Sequence, residues 1–68
     1  MTFSEKIKTI RKASYLSQES FSKEIGVSFS TVNRWENEKS LPNYTAMKQI
    51  IVFCESHSIP SPFEDNAV

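Results

Sequence analysis

The sequence predicts an all-α domain of four to five short, compactly packed helices, and three observations predict it. A Thr, Ser or Asn stands directly before each apolar stretch, at Thr2, Ser17, Ser28 and Asn43. The apolar residues that follow recur at spacings of three and four, the period of a helix with one buried face. The single glycine, Gly26, falls where one such stretch stops and the next is about to begin.

Each element has its own signal. Thr2-Phe3-Ser4-Glu5 is a capping box: the Thr2 hydroxyl accepts from the amide of residue 5 while Glu5 reaches back to that of residue 2. Phe3, Ile7 and Ile10 follow on one face, extended by Ala13, which gives a first helix over 3–13. Ser17 caps the second helix, with Leu16 and Phe21 as a hydrophobic staple and Glu19 in the first turn complementing the helix dipole. Gly26 ends it, because glycine takes the left-handed conformation without a Cβ penalty. Ser28 caps the third helix, over about 29–38, with Val27 and Val32 repeating the staple. Val32 and Trp35 face inward, which leaves Phe29, Ser30, Asn33 and Arg34 outward. Pro42 forbids helix at the residue before it, so Ser40–Asn43 is a loop. Tyr44, Met47, Ile50, Ile51 and Cys54 then mark a fourth helix over 44–56. Residues 1–57 form the domain. Residues 58–68, with two prolines and no sustained period, form a partly ordered tail from which Ile59 or Phe63 docks on the core.

Composition narrows the chemistry. At 68 residues a single core buries only ~60% of the unfolded surface, and little room is left for a substrate pocket, which excludes most enzymes. One cysteine makes no internal disulfide, so a reducing, cytoplasmic setting is expected. The longest apolar run, Ile50 to Cys54, is far short of the roughly 20 residues of a membrane span, and the first residues contain no signal-peptide core. One glycine leaves no phosphate-cradling loop, and one His with one Cys cannot assemble a structural zinc site. No metal, cofactor or catalytic residue is expected. Cys54 and His57 lie near enough to meet on a helix face, but they read more simply as a buried small apolar residue and a helix-end cation. The net charge of zero hides an asymmetry. Residues 1–48 carry all eight Lys and Arg against five acids, +3, and residues 49–68 carry three acids and no base, −3. A locally positive face is therefore compatible with a neutral total.

The stretch Gln18-Glu19-Ser20-Phe21-Ser22-Lys23-Glu24-Ile25-Gly26-Val27-Ser28-Phe29-Ser30-Thr31-Val32-Asn33-Arg34-Trp35-Glu36 resembles the helix-turn-helix of the Cro and lambda-repressor family, also called the XRE family. Ile7, Ile10 and Arg11 before it match as well, as do Asn37 and Pro42 behind it, so that the likeness covers about 55 of the 68 residues. The physical sense of the spacing is plain. Two helices joined by a tight turn cross at about 90 to 120°, and the outer face of the second can enter a major groove about 12 Å wide. The resemblance implies a lambda-repressor-like fold that binds double-stranded DNA as a homodimer. It implies that Ser28, Phe29, Ser30, Asn33 and Arg34 face bases and that Gln18, Asn37 and Lys39 meet phosphates. It also implies an ion pair between Arg11 and Glu36.

Three positions depart from the family pattern. Ser22 stands where alanine is usual at the crossing of helices two and three. Glu38 replaces the usual glycine, adding a negative side chain near the expected phosphate track. Phe29 replaces a commonly polar residue and suits a thymine methyl. Three uses of the fold remain open on the sequence: a sequence-specific transcriptional regulator on a palindrome, a domain acting through protein contacts such as an antitoxin or accessory partner, and a structural helical domain that binds no DNA.

Overall fold

The computed structural model describes residues 2–63. Four helices make up its regular structure: α1 (Phe3–Ala13), α2 (Gln18–Ile25), α3 (Phe29–Glu36) and α4 (Tyr44–Ser56). α3 packs against both α1 and α2, and α4 closes the body from the α2 side.

All four helices begin as their caps dictate. Thr2 accepts from the Glu5 amide at 3.3 Å and Glu5 returns the bond to the Thr2 amide at 2.9 Å. Ser17, Ser28 and Asn43 accept from the amides of Ser20, Thr31 and Ala46 at 3.1, 3.1 and 2.8 Å. Each bond satisfies one of the amides that a helix start leaves without a partner.

The ends follow a single pattern too. A residue with positive φ turns the chain, and the next amide donates back to a carbonyl five residues earlier, closing a Schellman motif. Leu16 donates to Arg11 at 3.3 Å, Val27 to Ser22 at 3.0 Å, Lys39 to Arg34 at 2.9 Å and Ile59 to Cys54 at 2.8 Å. Only one of the four turning residues is glycine. Gly26 has φ +88°, while Tyr15, Glu38 and Ser58 hold +59°, +60° and +56°. This corrects the third helix, expected over 29–38. It stops at Glu36 because Asn37 caps it and Glu38 takes the left-handed conformation.

Among the described residues nine side chains form the core: Ile7 and Ile10 of α1, Phe21 and Ile25 of α2, Val32 and Trp35 of α3, and Ile50, Phe53 and Cys54 of α4. Edge-to-face ring pairs join Phe3 to Trp35 and Phe21 to Phe53, with centroids at 6.1 and 5.2 Å. Ser22 is buried and directs its hydroxyl to the Glu19 carbonyl at 2.6 Å, so the extra oxygen relative to alanine is satisfied. Ala13 and Tyr44, expected on inner faces, are exposed, since each lies at a helix end beyond the packed body. Of the tail, Ile59 and Phe63 both pack on the core, and Phe63 rests against Phe3 at 5.7 Å with the Lys6 ammonium 5.5 Å from its ring. The rest of the tail, 64–68, lies outside the described residues.

Left-handed backbone carries a Cβ penalty that glycine avoids. Tyr15 is 95% exposed and contributes no packing to offset it. Tyr15→Gly is therefore expected to stabilise the domain by about 0.5–1 kcal/mol, raising the thermal midpoint by roughly 2–8 °C. Gly26→Ala is expected to cost about 1 kcal/mol although nothing stands within 4 Å of the added methyl, because the penalty lies in φ alone. A melt in which Tyr15→Gly is no more stable than the parent would refute this account of the helix ends.

Candidate nucleic-acid interface

The turn between α2 and α3 is short because Gly26 reverses the chain and Ser28 caps the next helix two residues later. Val32 and Trp35 then fix which face of α3 is inside. Ser28, at the cap, and Ser30 and Arg34 are exposed, and Phe29 is 50% exposed. The first turn of α3 carries a set of hydroxyls: Ser28 Oγ lies 2.8 Å from Thr31 Oγ1 and 3.2 Å from Ser30 Oγ. Thr31 was not singled out by the sequence; the only hint is its place three residues after the cap. Arg34 borders an open groove of about 780 Å³ that runs between α3 and the loop around Leu41 and Pro42.

Arg11 and Glu36 form the expected ion pair. Arg11 Nε and Nη2 donate to Glu36 Oε2 and Oε1 at 2.7 and 3.1 Å, and Nη1 donates to the Leu16 carbonyl at 3.0 Å. The Glu36 side chain is 2% exposed and that of Arg11 16%. Burial pushes the Glu36 carboxyl upward, but the hydrogen bonds from Arg11 and Gln18, with the charges of Arg11 and Lys8, outweigh it and hold the group below its ordinary value.

Gln18, Asn33 and Asn37 do not stand apart as separate contacts. Gln18 Nε2 donates to Glu36 Oε1 at 3.0 Å, Asn33 Nδ2 donates to Gln18 Oε1 at 3.1 Å, and Asn37 Nδ2 donates to Asn33 Oδ1 at 3.1 Å. Asn33, expected to point outward, is half-buried, because its place on α3 turns it toward the start of α2. Asn37 Nδ2 donates to both the backbone carbonyl and Oδ1 of Asn33, at 2.9 and 3.1 Å, so a phosphate contact from that nitrogen competes with two existing acceptors. Among the described residues, Gln18 and Asn33 each keep one N–H without a partner. Lys39 is exposed in the loop after α3. The Glu38 carboxylate is held by the Ser4 hydroxyl at 3.2 Å, which ties it to the start of α1.

The two residues with chemistry of their own are placed structurally. Cys54 is buried in the core, where burial and then the charge of Glu55 push its thiol pKa up. The exposed His57 ring stacks on Phe53 with centroids 4.1 Å apart, and its Nδ1 lies 3.1 Å from the Phe53 carbonyl. Among the described residues no group of three or more metal-ligating side chains converges.

Two helices in tandem across a glycine turn, with an exposed polar face on the second, define a helix-turn-helix DNA-binding domain. The helix-turn-helix family model HTH_3 matches residues 7–57. The chain belongs to this Cro/C1-type, or XRE, family of DNA-binding transcriptional regulators. Comparisons with curated proteins and with solved structures found no match. No helix among the described residues is long and apolar enough to cross a membrane.

Removing either member of the sheltered pair leaves a charge without compensation. Arg11→Ala and Glu36→Ala are each expected to cost about 3–5 kcal/mol in urea unfolding. The folded carboxyl binds its proton more weakly than the unfolded one, so its contribution is present above the unfolded value, about 4.3, and is lost as pH falls through the lower folded value. The stability advantage of the parent over Glu36→Gln is expected to shrink below about pH 4. A constant advantage from pH 7 to pH 3 would show that ionisation of Glu36 is not what stabilises this junction.

Proposed function

We propose that the protein is a sequence-specific, cytoplasmic transcriptional regulator that binds palindromic double-stranded DNA as a homodimer, with α3 in the major groove. The observation that carries this reading is the division of α3: Val32 and Trp35 are locked inside while Phe29, Ser30 and Arg34 form a free outer ridge. Arg34 suits guanine, where two parallel hydrogen bonds form, Asn33 suits adenine, and Phe29 suits a thymine methyl. Ser28 and Ser30 supply hydroxyls at the groove floor. The free N–H of Gln18 and the ammonium of Lys39 are suited to backbone phosphates, which position the helix without reading sequence. The longest dimension of the molecule, 29 Å, lets one copy occupy each half-site when the half-sites lie about 34–36 Å apart.

Dimerisation needs apolar surface that the core does not use, and Phe53 and Ile59 do not supply it: Phe53 belongs to the core and Ile59 packs against it. Exposed apolar surface is found instead at Leu41, which lines the groove, and at Tyr44, the first residue of α4, 74% and 84% exposed. The same pair favours a second reading, a domain that acts mainly through contact with another protein.

A salt titration separates the two. On the DNA reading log K falls steeply with log salt, as phosphate contacts release counterions, and a selected sequence exceeds random DNA by roughly 10³-fold or more. Arg34→Ala is expected to cost about 1–3 kcal/mol and to relax preference at one base pair. Weak binding that no sequence improves would favour the protein-contact reading, and an unchanged preference in Arg34→Ala would remove Arg34 from base readout.

A further inference from the structure

Side-chain amides have a direction: one end donates and the other accepts, and the two ends have nearly the same shape. What orients them is the network around them. Here the network begins at a group with no choice. The Glu36 carboxylate, clamped by Arg11, can only accept. Gln18 must therefore offer it Nε2, which turns Gln18 Oε1 the other way. Asn33 must offer Nδ2 to that oxygen, which turns Asn33 Oδ1 toward Asn37, and Asn37 must offer Nδ2 in turn. Three amides in series take their direction from one charge.

The count of remaining valences gives this chain a consequence. Asn33 spends one N–H on Gln18 and one lone pair on Asn37. Among the described residues it keeps one N–H and one lone pair, the complement of the N7 acceptor and N6 donor that adenine shows in the major groove. A flipped amide would present the two in reverse order and miss that pattern.

We infer that Gln18 is a positioning residue for base readout: it passes the orientation set by Glu36 to the Asn33 amide, which is thereby fixed to read adenine. This rests on the DNA-binding reading above and deepens it, since a Gln18 that only gripped phosphate would strengthen all sequences alike.

The test uses Gln18→Met, which keeps the length of the side chain and leaves the Arg11–Glu36 pair intact, with thermal melts to show that it folds. Selection of bound duplexes from a random pool first identifies the base pair whose preference Asn33→Ala relaxes. At that base pair Gln18→Met is expected to lose a preference of roughly 5- to 150-fold, the span of one two-point contact, while the preference assigned to Arg34 persists. Uniform weakening with the adenine preference retained would overturn the inference, as would an Asn33→Ala variant that relaxes no position. A second readout needs no DNA. Exchange of the Asn33 side-chain amide hydrogens, followed by NMR, is expected to be slowed in the parent and fast in Gln18→Met, and equal rates would overturn the inference. If the parent binds no duplex at all, the DNA-binding reading fails, and the exchange rates still decide whether the amide chain exists in solution.

Discussion

The fold turns on a two-point contact between Arg11 and Glu36, because it joins the three elements whose relative placement defines the outer surface. Arg11 lies near the end of α1 and Glu36 at the end of α3, and the third donor of Arg11 holds the carbonyl of Leu16, just before α2. Sheltered charges usually gain little over apolar packing, since attraction must offset desolvation. What distinguishes this pair from apolar packing is geometry. Each of the five donor and acceptor atoms it uses has a direction, so the pair fixes rotation and register where greasy contacts would allow sliding.

That constraint matters more in a domain this small. Among the described residues the core has nine buried side chains, and the tail adds Ile59 and Phe63 against it, Phe63 beside Phe3. A single cysteine leaves no covalent staple. Order is supplied instead by many local devices, caps at each start and closed turns at each end, each worth a fraction of a kcal/mol to about 2 kcal/mol. No buried side-chain nitrogen or oxygen among the described residues lacks a partner, so the polar junction is not a source of strain.

Most of this was legible in the sequence where the signal is local. The four caps, the turn at Gly26 and the core positions of α1, α2 and α3 follow from spacings of three and four, and the family likeness ran over the same residues. Legibility failed where the deciding contact is remote or the signal is optional. The end of α3 was placed two residues late because Glu38 adopts a conformation that composition assigns to glycine. Phe53 is missing from the face that spacing assigns to α4 because a helix with apolar residues nearly all round does not announce its inner side; contact with Phe21 decides it. Asn33 looked free because its partner, Gln18, lies fifteen positions away and no period links them.

The stacking of Phe63 on Phe3 brings the two edges of the described chain to one patch of the surface. A short flexible connector between residues 2 and 63 would thus span little distance and carry a small closure entropy. The same architecture could then be written with its termini opened elsewhere, for instance at the exposed loop around Leu41, and the order of helices along the gene is in that sense a convention rather than a requirement of the packing.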